Sequence, residues 1–429
     1  MNTILDSSQA HEKPRIGIVI SMFPELHETF ILRELVAMER HGVDFDIFSL
    51  QFPRDPITIE EAIRLSNTKT HYSKLFTFKT IRAITRIKWR HPLRYLRMLG
   101  KLIWIGRDRP KEIIKNIAIL PLAFRFAEVG QERGITHWHG HWANIPTTAC
   151  WALQQTLGVS WSAAIHGEDI FTQNRFLQKK LDDASFTVVC SGYFCQHLKQ
   201  NIGLCAPEQV HLNYHGLDPY VMERSVNRTF KTRSKDGPLK LISVGRLVPT
   251  KGHDVVISAL GKLKRDAGLP FHLTLIGSGP EQSALQSLAN SEGVADNITF
   301  QGGMAFADVV KAMEESDIFC LAPRLIPGQP PDGIPNVIAE AMALRIPVVS
   351  TAVSAIPELI ENEVTGRLVP VDDVTGFSQA IADLAQDEAL AQRLSEKGYL
   401  KVSRLFDQNN NIEELLDLFR RYVPGLAVT

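Results

Sequence analysis

The chain has 429 residues, with 47 basic and 47 acidic side chains and no formal net charge. That length exceeds the roughly 100–200 residues of one domain, so two or more domains with full hydrophobic cores are expected. The balanced charge gives no whole-chain reason to expect a nucleic-acid partner. Five cysteines, at 150, 190, 195, 205 and 320, form no C-x-x-C pair and leave one over. They read as reduced thiols, against a disulfide framework or a cysteine zinc site. The opening MNTILDSSQAHEKPR lacks the apolar core of a signal peptide, and no run approaches the roughly 18 apolar residues of a membrane span. A cytoplasmic chain is expected.

In chain order, RIGIVIS (15–21) is a short, nearly all-apolar run, as expected of a strand buried on both faces of a parallel sheet. The helical pattern ETFILRELVAMERHG ends on Gly42, and DFDIFSL follows as a second strand, which together make a βαβ unit. Between Lys79 and Lys115 stand twelve Lys and Arg against two acids, with isoleucines 81, 84 and 87 at helical spacing and Trp89 and Trp104 among the charges. A basic amphipathic helix with tryptophan is the pattern of a segment attracted to an anionic membrane surface. A solvated face of ordinary helices is the other reading. His137, His139 and His141 alternate, so on a strand their side chains share one face. Such a face suits a metal, but no carboxylate or cysteine lies close in sequence to complete a metal set. Ser191, after FTVVC, lacks a G-x-S-x-G elbow and is read as a helix N-cap.

The layout returns downstream with LKLISVG (239–245), the helix HDVVISALGKLKRDAG and the strand FHLTLIG (271–277). Further strands are expected within 298–302, 317–323, 347–351 and 366–370. Strands alternating with helices in both halves predict two doubly wound α/β domains. The first is expected over 1–222 and the second over 223–403. A linker is expected at about 223–238, centred on the polar NRTFKTRSKDGP (227–238), and a C-terminal helix in 404–429 is expected to return to the first domain.

Ligands of such sheets bind at the carboxyl ends of the strands. There GRLVPTKG (245–252) supplies Arg246 and Lys251, a guanidinium fork and an ammonium suited to a diphosphate. GSGPE supplies a glycine turn at Gly277. In DGIPNVIAEAMA (332–343), Pro335 fits the first helical position, which leaves the N–H groups of Asn336, Val337 and Ile338 for an anion at the positive end of the helix dipole. Asp332 lies before that end and Glu340 inside it. Carboxylates flanking a phosphate site suit the hydroxyls of a nucleoside diphosphate sugar. The plainer reading makes Asp332 a complement to the dipole and Glu340 an ordinary helix surface residue.

The segments SVGRLVPTKG, LIGSGPE and DGIPNVIAEAMALRIPVVSTAVSAIPELI, in this order and spacing, resemble the retaining glycosyltransferases of family 4. ISMFPELHETFILREL, HWHGHWANIPTTA and AAIHGEDIF are similar to the bacterial exopolysaccharide members of the colanic acid and amylovoran type. The resemblance spans about residues 15–400 and implies the GT-B fold, two Rossmann-like domains facing a central cleft. It implies that Arg246 and Lys251 bind the diphosphate, that Glu340 binds the ribose, and that Gly277 and Met304 lie near the base. Asp332 stands where the family usually has glutamate, facing the donor sugar. His166 matches a histidine beside the reacting sugar. The usual N-terminal glycine-rich loop is replaced by ELHETF, with Glu28 and Thr29 opening the first helix on the acceptor side, together with His139 or His141.

The expected reaction moves a hexose from a UDP- or GDP-sugar to a saccharide acceptor carried on a polyprenyl diphosphate, with retention of configuration. No metal or other cofactor is expected, no nucleic acid, and possible peripheral contact is with the inner face of the membrane. A sugar-nucleotide epimerase of the same fold would bind a similar ligand without releasing nucleotide on glycosylation. A non-catalytic nucleotide-sugar binder would keep Arg246 and Lys251 while losing His166 and the carboxylates, all of which are present.

Overall fold

The computed structural model describes residues 15–25, 28–57, 59–107, 109–171, 174–234, 236–329, 331, 333–423 and 425. The chain forms two units, one of residues 1–190, 194–215 and 409–429 and the other of 191–193 and 216–408.

Among the described residues the first unit is built on seven parallel strands: β1 (Arg15–Met22), β2 (Phe45–Gln51), β3 (Thr70–Tyr72), β4 (Ile135–His141), β5 (Ser160–Ile165), β6 (Thr187–Val189) and β7 (Val210–Leu212). Their order is β3-β2-β1-β4-β5-β6-β7. The apolar interior of β1 is buried from Ile16 to Ile20, as a central strand of a parallel sheet with both faces covered requires. Helix Thr29–Arg40 links β1 to β2 and buries Ile31, Leu35 and Met38, a single i, i+4, i+7 stripe. The chain leaves it through Gly42 at φ 74°, a left-handed turn that glycine adopts without steric cost. Ile16, Ile18 and Ile20 meet that stripe in a core completed by Ile412, Leu415, Leu416 and Phe419 of the C-terminal helix Gln408–Tyr422.

The basic stretch folds as helices Phe78–Arg90, Pro92–Gly106 and Pro110–Ala118. Its isoleucines do not form one buried stripe: Ile87 is 8% exposed but Ile81 is 53% exposed. Helix Phe78–Arg90 instead buries Thr80, Ala83 and Ile87. Among the described residues, no helix is long and apolar enough to cross a membrane.

Among the described residues the second unit holds six parallel strands: β8 (Leu239–Val244), β9 (Phe271–Ile276), β10 (Ile298–Gly302), β11 (Ile318–Cys320), β12 (Val348–Thr351) and β13 (Arg367–Val369). Their order, β10-β9-β8-β11-β12-β13, reverses direction between β8 and β11. This is the 3-2-1-4-5-6 winding whose ligand crevice opens at the reversal. Every strand expected in this half contains one, although 317–323 shortens to Ile318–Cys320.

Residues 227–238 differ from the linker expected of them. They lie inside the second unit, directly after helix Pro219–Val226, and described residues among them bond to its backbone. Arg228 donates to the carbonyls of Leu344 (2.6 Å) and Glu314 (2.8 Å), and Lys231 to that of Glu315 (2.6 Å). A strap whose cations satisfy backbone carbonyls has the same aperiodic polar composition as a free linker. Apart from the short excursion at 191–193, the chain passes between units at 215/216 and 408/409, where the sequence reading puts 222/223 and 403/404.

Candidate active site

In the second unit the loops that follow β8, β9 and β10 are stitched together. Gly245 N–H donates to the Ile276 carbonyl (3.0 Å), Gly277 N–H to Gly302 (2.8 Å) and Leu247 N–H to Ser278 (2.9 Å). Gly277 has φ 143°, and a β-carbon there would overlap the Gly245 carbonyl, so only glycine fits the approach. Arg246 is exposed beside this seam. Lys251 ends the short 3-10 turn Pro249–Lys251, with its Cγ 3.6 Å from where a Gly245 β-carbon would stand, so its stem returns to the carboxyl end of β8. Met304, 38% exposed, follows β10 and lines a shallow recess with Thr274, Gln301 and Asp308.

Two residues outside the sequence assignments organise this loop. Arg324, after β11, donates its Nε to Pro249 O (3.0 Å) and pairs with Asp254 (2.8 Å) and Asp372 (3.0 Å), while its own N–H bonds Thr250 O (3.0 Å). The strand-end loops of β8 and β11 are thereby locked to each other at the reversal of the sheet. His253 is buried behind Lys251 with Nδ1 3.1 Å from Ser243 Oγ, and burial lowers its pKa to about 4. It is neutral at physiological pH and adds no charge to the site. A cation immediately after a strand, and a histidine opening the next helix, are the sequence signals for the two.

Helix Asn336–Ala343 begins one residue later than expected, with Pro335 as its cap. Ile338 N–H bonds the Pro335 carbonyl (2.9 Å), so it is not free for an anion, which corrects the expectation of three open donors. The N–H groups of Asn336 and Val337 keep that role, since as the first two of the helix they have no intrahelical acceptor. Glu340 is 7% exposed within a run, Ile338 to Ala343, that is wholly buried, so it is not an ordinary surface carboxylate. Asp332 lies outside the described residues.

In the first unit the end of β4 and the loop after β5 bring aromatic rings together. His166, 6% exposed, caps the short helix Gly167–Ile170. Its Nδ1 stands 3.3 Å from His215 Nε2, while its own Nε2 is buried without a hydrogen-bond partner. Phe30 stacks on His215 (ring centroids 4.4 Å) and meets His166 edge-on (4.7 Å), as does Trp142 (4.7 Å). Trp142 has φ 77°, a strained conformation for a bulky residue, of the kind that clusters at functional sites. Burial, reinforced by the neighbouring histidines, holds His166 well below the usual imidazole range, and burial takes His215 to about 3. Both rings are neutral hydrogen-bonding groups.

Glu28 caps helix Thr29–Arg40 and Thr29 opens it, both partly buried. His139 and His141 are fully buried, which corrects the expectation that one of them lines an open cleft. His139 packs against Phe419 and Phe186, with centroids at 5.2 and 6.2 Å. A carboxylate does stand close to them, contrary to the sequence reading: Glu34 Oε1 is 3.3 Å from His141 Nε2. Phe30, Glu34, Trp142 and His215 are the residues the sequence reading missed. Of these only His215, in NYHGLD just after the last strand of the sheet, carries a readable signal.

Residues 227–401 match the sequence model of the family described as Glycosyl transferases group 1. The chain is 32% identical over 217 residues to a putative colanic acid biosynthesis glycosyltransferase, WcaL, of Salmonella typhimurium, covering 50% of this chain and 52% of that one. It is 30% identical over 220 residues to the amylovoran biosynthesis glycosyltransferase AmsK of Erwinia amylovora, covering 51% and 52%. These alignments span about half the length of the curated relatives. Among solved structures it resembles HepE of Anabaena in complex with UDP, with a TM-score of 0.69 at 16% identity over 95% of this chain and 100% of the other. A glycosyltransferase from Rickettsia africae gives 0.67 at 15% identity over 97% and 100%. At these identities the likeness establishes the fold, which is GT-B.

Proposed function

We propose that this chain, which carries a glycosyl transferases group 1 domain over residues 227–401, is a hexosyltransferase that takes its sugar from a UDP- or GDP-sugar and works with retention of configuration. The observation that carries the reading is the pairing of two cations with open helix donors at the strand reversal. Arg246 and Lys251 follow β8, Asn336 and Val337 open the helix after β11, and Arg324 ties the two loops together. Such a set holds a diphosphate and offsets the charge that develops on it as its bond to the sugar breaks. The acceptor hydroxyl attacks on the face the diphosphate leaves, and its proton passes to the departing phosphate oxygen. His166, which burial holds neutral, would serve as a hydrogen-bonding group and not as a charge. The reaction as written needs no resident cofactor, because the cations neutralise the leaving group.

The similarity to colanic acid and amylovoran enzymes supports an exopolysaccharide acceptor, which we take to be carried on a polyprenyl diphosphate. A panel of UDP- and GDP-sugars, assayed for slow release of nucleoside diphosphate without acceptor, tests the reading. One donor is expected to turn over. Arg246→Ala and Lys251→Ala are each expected to cut that rate at least tenfold, about 1.4 kcal/mol of barrier, with the fold retained. Wild-type rates in both variants would remove the diphosphate assignment.

A further inference from the structure

The geometry points to a metal site in the first unit: Glu34, His139 and His141 hold one divalent transition-metal ion of the zinc type, which pins helix Thr29–Arg40 to the end of β4. One ligand atom from each of the three lies within 4.8 Å of the others. Glu34 Oε1 and His141 Nε2, 3.3 Å apart, already stand at the spacing that metal bonds of about 2.0–2.2 Å impose on a tetrahedral ion. Glu34 Oε1, His139 Nε2 and both ring nitrogens of His141 are buried without a hydrogen-bond partner. Buried polar atoms in a folded protein are almost always satisfied, so orphaned donor atoms converging on one point call for a ligand.

The hydrogen bonds behind the site set which nitrogen of His139 is available. His137 Nδ1 lies 2.9 Å from Ser160 Oγ and its Nε2 2.8 Å from Ser162 Oγ, which is also 2.7 Å from His139 Nδ1. Both nitrogens of His137 are consumed, which removes it as a ligand. With Nδ1 of His139 engaged by Ser162, its Nε2 is the nitrogen left to face a metal, and Ser162 is the outer-shell partner that metal-bound histidines usually have. Two imidazoles and one carboxylate suit zinc-like ions better than the all-oxygen preference of magnesium or calcium, and three protein ligands leave one position for water. The site is independent of the proposed transfer chemistry.

Chelator-treated protein titrated with cobalt(II) is expected to bind one equivalent with visible absorption bands of a four- or five-coordinate ion, and zinc(II) is expected to displace it and raise the melting temperature. Glu34→Gln, a half-buried position where shape is kept, should weaken binding at least tenfold and abolish the thermal shift. Ser162→Ala, which removes only the outer-shell partner, should weaken it by about tenfold. Cys190→Ser should leave it unchanged, since Cys190 belongs to a separate group with His166 and His215. Absence of stoichiometric binding, unaltered affinity in Glu34→Gln, or loss in Cys190→Ser would each overturn the assignment, and the first would leave Glu34 and His141 as a plain ion pair.

Discussion

A carboxylate buried in an apolar helix is costly unless something accepts its charge, and Glu340 sits in such a helix at 7% exposure. Ribose hydroxyls would donate to it in the proposed complex. Glu340→Gln keeps the shape and removes the charge. It is expected to lower the affinity for free nucleoside diphosphate at least tenfold by calorimetry, about 1.4 kcal/mol; unchanged affinity would take Glu340 out of the nucleotide site. Arg246, Lys251 and Glu340 could be proposed from sequence because each stands at a fixed offset from a strand or helix start. Glu34 could not, since it reaches His141 only through the winding of the sheet. Trp142 gives no hint in sequence of the positive φ that turns its ring onto His166.

Asp46 joins several elements of the first unit. It lies on β2 and is fully buried, with Arg15 of β1 at 2.6 Å, His71 of β3 at 2.9 Å and Arg133, at the end of helix Leu120–Arg133, at 3.1 Å. Burial alone would raise its pKa, but hydrogen bonds from His71 and Arg133 and the charges of Arg15 and Arg133 together hold it below the ordinary value. Its stabilising contribution is therefore complete above the unfolded value of about 3.9 and is lost as pH falls through the lower folded value. Asp46→Ala, which strands its partners, is expected to cost about 3–5 kcal/mol in urea unfolding at pH 7. Asp46→Asn should flatten the loss of stability below about pH 4 relative to wild type, and identical pH slopes would show that the carboxylate does not carry it. This clamp escaped the sequence reading, as did β5 and the short strands β3, β6 and β7. Three residues alone are too few for a hydrophobic period to register, and the equally short β11 and β13 were read only because they sit in the longer runs DIFCLAP and GRLVP.

At the scale of the whole molecule, the neutral total hides a surface of one sign. Lys79, Arg82, Lys88, Arg90, Arg94 and Arg97 are all exposed on helices Phe78–Arg90 and Pro92–Gly106. Among them stand Phe78 (81% exposed), Trp89 (83%), Leu93 (77%) and Trp104 (70%), large apolar side chains that a protein surface rarely shows together. Phe78, Ile81 and Trp89 share a shallow recess with Arg82 and Arg90, so apolar and cationic groups present one face. Not every cation is available: Arg86 pairs with Glu128 (3.0 Å) and Lys101 bonds Gln155 (2.7 Å). Tryptophan and arginine side by side match an anionic bilayer surface, where the ring enters the headgroup layer and each cation contributes about 1 kcal/mol. An acceptor on a polyprenyl carrier would require such contact, because the carrier stays in the membrane while the nucleotide sugar is dissolved. Cosedimentation with vesicles containing phosphatidylserine is expected at low salt and should fall as ionic strength rises. It should vanish when Lys79, Arg82, Arg90, Arg94 and Arg97 become Glu, and weaken without losing its salt dependence when Trp89 and Trp104 become Ser. Attachment that survives the charge reversal, or that never forms at low salt, would leave these helices as a solvated face and return the acceptor to open question.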